Sequence, residues 1–235
     1  MRRFVRSVVA AAAALLVSGV IATPSASAQQ QSINFSLGGF VPRGLDGRPD
    51  SDVLVNNRDY LIFEIKDFNG PAVNAEWLIG LGNNIEAGVG ASWYSRTSPA
   101  IYKTLTHSNG DEIEQDLKLR VIPLTATVRF LPLGRRGFQP YIGVGAAVLN
   151  YRYSETGEFV DFADRSIFTD NFVGSGTATG PVVLGGVRFG MDDLDVGFEM
   201  RHQSGKGELP ASETFSGSEI DLGGMNYMLT LNVRF

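Results

Sequence analysis

The chain of 235 residues contains no cysteine, two histidines and four lysines. Without cysteine the protein forms no disulfide bond and has no thiol chemistry. After residue 28 the sequence never reaches the roughly 18 consecutive apolar residues that a transmembrane helix needs. The formal net charge of −5 argues against nucleic acid as a partner, because binding to a phosphate backbone requires a basic surface.

The first 28 residues have the pattern of a secretory signal peptide. A basic start with three arginines precedes the apolar stretch Val8–Ile21, and the small residues Ala-Ser-Ala come directly before Gln29. The alternative is an N-terminal membrane anchor, for which this stretch is short. We therefore expect a signal peptide over residues 1–28 and one domain over residues 29–235, which is either a globular β domain or a β-barrel.

Apolar residues alternate with polar or small ones in eight segments, which is the period of β-strands. A three-residue turn pairs Leu81 with Ile85 and keeps the apolar sets of two neighbouring strands on one face. Short turns follow the second, fourth and sixth strands, and the four other connections are longer: roughly 42–71, 95–116, 154–177 and 205–218. This layout predicts an all-β fold, an eight-stranded antiparallel up-and-down transmembrane β-barrel. Pro123 and Pro181 lie inside strand patterns and are expected either at β-bulges or at the upper rim.

The strand face opposite the apolar one is poor in lysine, which is unusual for a face in water. Only Lys118 lies near a predicted strand. That face holds glycine, serine and threonine together with six charged residues: Glu76, Glu86, Arg129, Arg188, Glu199 and Arg201. Such residues suit a narrow lumen in which opposite charges must pair, so a membrane barrel is favoured over a soluble exported barrel or sandwich. Six aromatic residues are expected at the membrane interfaces: Trp77, Trp93, Tyr94, Tyr141, Tyr227 and Phe235.

The final segment, MLTLNVRF, alternates up to an aromatic residue, Phe235. With the signal peptide and the eight alternating segments, this ending resembles the small outer-membrane β-barrel proteins of the OmpA-transmembrane, OmpX and OmpW type. The resemblance covers residues 30–235 and implies a location in the cell outer membrane, among lipid and lipopolysaccharide. It also implies that the last strand is a signal read by the barrel-assembly machinery, carried by Tyr227, Leu229, Leu231, Val233 and Phe235.

The segment Arg201–Gly205 holds a candidate catalytic pair. His202 and Ser204 are two residues apart on a predicted strand, so both point to one face, which by register is the lipid-facing one. An ester hydrolase acting on lipid A would need such a pair, with Ser204 as nucleophile and His202 as base. The orienting acid would be Glu208, Glu213 or Glu219. The pattern is similar to lipid A deacylases of the PagL type, although Gly205 stands where those enzymes usually have asparagine; the alternative is an interface histidine followed by a loop.

The sequence as a whole predicts a non-enzymatic monomer with a structural or surface-interaction role, and a narrow pore for small solutes is a further interpretation. An eight-stranded barrel leaves little open lumen, which counts against a general porin. No cofactor and no metal are expected, because turn formation explains Asp46, Asp50 and Asp52 better than a Ca²⁺ site does. The apolar segment 59–68 is expected either to extend strands above the membrane or to pack over the barrel mouth.

Overall fold

The computed structural model describes residues 30–191 and 193–235, so the predicted signal peptide lies outside the described residues. In chain order the strands are β1 (Gln31–Pro42), β2 (Leu61–Ile62), β3 (Gly70–Gly80), β4 (Ile85–Thr106), β5 (Glu112–Phe130), β6 (Phe138–Val160), β7 (Ile167–Met191), β8 (Leu194–Gln203), β9 (Lys206–Glu208), β10 (Glu219–Asp221) and β11 (Gly224–Arg234). Helix α1 spans Val53–Asn57, and two 3-10 helices span Leu45–Gly47 and Ile65–Phe68. None of the helices in the described ranges is long and apolar enough to cross a membrane.

Eight of these strands form a closed antiparallel ring in the order β1, β3, β4, β5, β6, β7, β8, β11, with β11 pairing back to β1. The short turns have the predicted register. The Leu81 N–H donates to the Ile85 carbonyl at 2.8 Å, and Met191 stands opposite Leu194. The predicted eight-stranded antiparallel barrel is therefore confirmed.

The two faces of the long strands exchange polarity part-way along their length. In β5 the even-numbered side chains point outward throughout; those in residues 122–130 are apolar and those in residues 112–120 are charged. The inward face changes in the opposite sense, from threonine and arginine to leucine, isoleucine and valine. β6 makes the same change between Val148 and Asn150, which lies opposite Ile122. Lipid requires an apolar exterior and water a polar one, so this level is where the barrel leaves the hydrocarbon.

We call the outward apolar face between this level and the short turns the apolar belt. Many of its side chains are 48% to 69% accessible, which would be costly in water; they include Phe35, Leu37, Leu124, Val128, Phe130, Ile142, Val144, Val183, Phe189 and Leu229. Pro123 and Pro181 both lie near the upper edge of this belt. The strand register runs without a shift through Pro123 opposite Leu149 and through Pro181 opposite Ala146. Neither proline therefore lies at a β-bulge: Pro123 is at the rim, and Pro181 is the last apolar outward residue of β7 before Thr179.

Two of the four predicted long connections are largely β-strand. Residues 107–111 join β4 to β5, and residues 161–166 join β6 to β7. The predictions of loops over 95–116 and 154–177 are therefore wrong. They failed because the apolar positions move to the inward face beyond the belt, so a criterion based on outward apolar residues ends each strand too early.

The other two long connections, residues 43–69 and 204–223, pack against the part of β4–β7 that extends beyond the belt. The first carries α1 and both 3-10 helices, and the second carries the β9–β10 hairpin. Within segment 59–68, Leu61 and Ile62 pair with β4, while Leu61, Phe63, Ile65 and Phe68 are buried. The segment therefore both extends the sheet and packs over the mouth. The buried residues here form what we call the distal core, which includes Leu54, Phe68, Tyr102, Leu117, Tyr153 and Ile220.

Candidate functional site

Four charged side chains at the centre of the lumen neutralise one another. Glu76 projects from β3, Arg129 from β5, and Glu199 and Arg201 from β8; each is at most 2% exposed. Arg129 Nη2 lies 2.5 Å from Glu76 and 3.0 Å from Glu199. Arg201 Nη2 lies 2.9 Å from Glu76 and 2.8 Å from Glu199. Each carboxylate thus contacts both guanidinium groups, an arrangement that offsets the cost of burying the charges.

A second ion pair lies next to this cluster and is joined to it by a tyrosine. Arg188 Nη2 is 2.5 Å from Glu86 Oε2. Two guanidinium groups lie over the ring of Tyr141: the guanidinium carbon of Arg188 is 4.7 Å from the ring centroid and that of Arg129 is 5.2 Å from it. The Tyr141 hydroxyl donates to Glu199 at 3.0 Å. The six charged residues predicted for the lumen therefore all lie inside the barrel, in two groups that Tyr141 connects. We call these six residues and Tyr141 the lumen network.

Two of the six aromatic residues predicted at the membrane interfaces point inward instead. Tyr141 is 2% exposed, and Tyr94 is 3% exposed with its hydroxyl donating to the Phe68 carbonyl. The prediction was wrong for both because each belongs to the inward-facing parity of its strand. For Tyr141 that parity also holds Gly143 and Gly145, whose absent side chains leave room for a large ring.

Glycine makes the close packing of the lumen network feasible. A Cβ atom on Gly88 would lie 2.5 Å from Glu76 Oε1, and one on Gly186 would lie 2.6 Å from the Tyr141 hydroxyl. Neither position can hold a larger residue without displacing a charged or hydrogen-bonded group. The lumen at this level is therefore filled by side chains, as expected for eight strands.

A third charged group, near the short turns, was missed by the sequence reasoning. Asp195 forms an ion pair with Arg234, accepts a hydrogen bond from Asn232 Nδ2 at 2.8 Å and one from Gln139 Nε2 at 3.2 Å. The parity signal was present, since Asp195 shares its face with Glu199 and Arg201 on β8. Asp195 lies two residues after Asp193, and it was not among the charges predicted for the lumen.

Asp52 joins the two long connections beyond the belt. It is fully buried and caps α1 by accepting from the Leu54 N–H at 2.8 Å. Its other oxygen binds Arg48 Nη1 at 2.8 Å and accepts from the Asp221 N–H at 2.6 Å. Arg43 in turn binds Asp221 at 2.9 Å. The acidic stretch considered for Ca²⁺ thus contributes one residue, Asp52, to a latch between residues 43–69 and 204–223.

Glu155 is a buried carboxylate of the distal core that should respond to pH. It is 3% exposed and accepts from Asn57 Nδ2 at 2.6 Å and from the Tyr153 hydroxyl at 2.8 Å. Burial, which opposes ionisation, raises the pKa of Glu155 above its usual value of 4.5 in spite of these hydrogen bonds. Its contribution to stability is therefore complete below the usual pKa and is lost as the pH rises through the raised one.

We expect Glu155→Gln to make the distal core more resistant to protease near neutral pH and to weaken its pH dependence over the range from the usual pKa of 4.5 to neutral pH. Cleavage rates within residues 43–69, measured across that range in vesicles, would show this. Glu114→Gln, on the exposed face of β5, is the matched control and should behave as the parent. An unchanged pH profile in Glu155→Gln would contradict the assignment.

The predicted catalytic residues do not form a hydrogen-bonded triad in the structure. His202 shares the outward face of β8 with Phe198 and Met200, as the register predicts. Ser204 follows β8, and its Oγ accepts from Arg43 Nη2 at 2.8 Å. Glu213 is half-buried in the loop between β9 and β10, and no hydrogen bond joins it to His202 or Ser204 within the described ranges. The hydrolase hypothesis stays a prediction.

The last strand closes the barrel. β11 pairs with β1 on one side and with β8 on the other. Five of its residues and the final phenylalanine point outward into the apolar belt: Met225, Tyr227, Leu229, Leu231, Val233 and Phe235. That assembly machinery reads this strand stays a prediction.

An apolar exterior, paired charges in a filled lumen and eight closed strands define the architecture of small outer-membrane β-barrel proteins. Among solved structures, the chain is similar to Neisserial surface protein A, at 12% identity over 88% of this chain and 97% of that one, with a TM-score of 0.50. Further matches are Ail of Yersinia pestis, at 13% identity over 88% and 99% with a TM-score of 0.44, and the outer membrane protease OmpT of Escherichia coli, at 10% over 91% and 99% with a TM-score of 0.45. The match to Neisserial surface protein A shows a shared fold. No protein-family model and no curated protein matches the chain.

Proposed function

We propose that this protein resides in the outer membrane as a closed barrel that holds a folded platform at the cell surface, with a structural or surface-interaction role. The observation that carries the proposal is the closure of the interior at two successive levels. The lumen network fills the barrel within the belt, and the distal core fills the region above it. A protein built to pass solutes would need an open path through both.

The platform consists of the extended parts of β4–β7 together with residues 43–69 and 204–223. In outer-membrane barrels the short turns face the periplasm and the longer connections face the outside. The hairpin tips, residues 107–111 and 161–166, are then the parts that project farthest from the cell. Much of the chain length outside the belt is ordered around an apolar core, which suits a surface that presents a fixed shape to partners.

Conductance across a planar bilayer tests the closed barrel. We expect no channel steps from the wild type, because side chains fill both the lumen and the distal core. Insertion is verified in SDS gels, where a folded barrel that has not been heated migrates at a different position from the heated sample. Reproducible steps that change size in Glu76→Ala or Arg201→Ala would contradict the proposal and favour the narrow pore. Glu114→Gln serves as a surface control, since its side chain is outside the lumen.

The other expectations about partners are proposals of the same kind. Lipid and lipopolysaccharide would surround the apolar belt, the barrel-assembly machinery would read β11, and the protein would act as a monomer. The lipid A hydrolase remains the alternative, in which Ser204 would have to exchange its hydrogen bond from Arg43 for one to His202. Mass spectra of lipid A from cells with the wild type and with Ser204→Ala decide that alternative.

A further inference from the structure

Three basic side chains stand together just above the apolar belt, on the outward face of β5 and β6. Arg120 lies directly opposite Arg152, and Lys118 follows one outward position higher on β5. All three are exposed. Their neighbours in the same two rows are small and uncharged: Ser95, Thr97, Ser154, Val173 and Ser175.

None of these cations is paired with a carboxylate in the described residues, although Asp116 lies one outward position above Lys118 on β5. Within residues 30–191 and 193–235, none of the three makes an ion pair or a side-chain hydrogen bond. Like charges directly opposite each other on neighbouring antiparallel strands are destabilising. The arrangement of Arg120 and Arg152 is therefore unfavourable by itself, and an anion bound between them would relieve it. The lumen, in contrast, pairs all six of its predicted charges.

An apolar groove of about 700 Å³ lies in the upper part of the belt next to this basic cluster. Its floor is low because two alanines, Ala75 and Ala91, are paired across β3 and β4. Larger side chains form its walls: Phe35, Leu37, Val73, Trp93, Ile122, Leu229 and Leu231. Ile122 is two residues away from Arg120 on the same face of β5, at about 7 Å along the strand. The end of the groove at Ile122 therefore lies next to the cluster.

We propose that this cluster and groove together bind one phosphorylated glycolipid of the outer leaflet. Arg120, Arg152 and Lys118 take its phosphate, and an acyl chain lies over Ala75 and Ala91. Guanidinium groups suit this role because they bind phosphate through two parallel hydrogen bonds. The height of the cluster favours a lipid phosphate over one in solution, since it lies one residue row above the end of the belt. The inference rests on the proposed orientation in the outer membrane.

Competition against quenching lipids tests the site directly. The chain has two tryptophans, so Trp77→Phe leaves Trp93, in the groove wall, as the one reporter. In vesicles of phosphatidylcholine with brominated chains, Trp93 fluorescence is quenched. Replacing a small fraction of that lipid by unbrominated lipid A should restore it more than unbrominated phosphatidylcholine does. We expect the site to bind lipid A roughly tenfold more tightly than phosphatidylcholine, because its phosphate contacts are charge-assisted.

Two variants test the two halves of the site. Arg120→Gln with Arg152→Gln should bring the relative affinity close to one, and Ala91→Leu should lower it by filling the floor. Both changes are on exposed positions, and migration of unheated samples verifies folding. Arg136→Gln with Arg165→Gln removes the same charge from a short turn and a distant hairpin tip, and should leave the preference intact. Equal recovery by both lipids in the parent, or an unchanged preference in Arg120→Gln with Arg152→Gln, would overturn the proposal.

A cysteine at Ser108, in a hairpin tip, separates failure of this site from failure of the proposed function. The chain has no other cysteine, so Ser108→Cys gives a single label. Reaction with an impermeant maleimide on intact cells supports the orientation whatever the lipid result. An unreactive Ser108→Cys that reacts after the outer membrane is opened would place this end in the periplasm and overturn both proposals.

Discussion

Replacing Arg129 with methionine is expected to lower the free energy of unfolding by about 3–5 kcal/mol. The guanidinium of Arg129 is fully buried and lies 2.5 Å from Glu76 and 3.0 Å from Glu199. Methionine fills most of the volume but leaves two buried carboxylates with Arg201 as their nearest cation. Uncompensated buried charge is costly in a lumen filled by side chains. The midpoint of urea unfolding from lipid vesicles, followed by tryptophan fluorescence, measures the loss.

A second substitution shows whether charge or packing causes the loss. Arg129→Met with Glu199→Gln leaves Glu76 and Arg201 as one neutral pair, 2.9 Å apart, and should recover most of the stability. Arg136→Met, in an exposed turn, should change the free energy of unfolding by less than about 0.5 kcal/mol. The free energy of unfolding lost in the double variant is compared with the sum of the losses in Arg129→Met and Glu199→Gln alone. If the two are equal, the lumen network does not act as a single unit of stability.

Asp52→Ala is expected to release residues 43–69 and 204–223 from the barrel mouth without unfolding the barrel. The change removes the cap of α1, the hydrogen bond from the Asp221 N–H and the partner of the buried Arg48. Loss of one partner of a buried ion pair costs about 3–5 kcal/mol, which here falls on a local opening. Amide exchange at Leu54 and Asp221 should therefore become at least about a hundredfold faster.

Asp50→Ala is the matched control for this variant. Asp50 lies two residues earlier in the same segment, is exposed and has no hydrogen bond from its side chain within the described ranges. Its replacement should leave exchange at Leu54 unchanged. If Asp52→Ala unfolds globally, heated and unheated samples will migrate alike in SDS gels, and the contacts of Asp52 would then support the whole barrel. If amide exchange at Leu54 and Asp221 is unchanged in Asp52→Ala, Asp52 does not hold the two connections in place.

The barrel itself could be predicted because its signals are local. Alternation gives the strand and the face, and turn length gives the register, as at Leu81 and Ile85. The same parity assigns Glu76 and Arg129 to the lumen from the order of residues alone. The same parity places Tyr141 in the lumen, on the face that it shares with the glycines at 143 and 145. The preference of tyrosine for membrane interfaces led to the opposite prediction.

The distal half could not be predicted because its contacts are distant in the sequence. Asp52 accepts from the Asp221 N–H across 169 residues, and Asn57 donates to Glu155 across 98. Neither pair leaves a periodic pattern. The exchange of faces in β5 and β6 was readable in principle, since the alternation never breaks. A search for outward apolar residues alone ends those strands at the membrane boundary.

Reaction of single cysteines along β5 with a membrane-impermeant maleimide tests the membrane boundary most directly. Asp116 and Ala126 point outward on the same strand, one above the exchange of polarity and one below it. In intact cells, Asp116→Cys should react, and Ala126→Cys should react only after the protein is unfolded. Comparable reaction of both in the folded protein would mean that the apolar belt is not in lipid, and the transmembrane barrel would be contradicted.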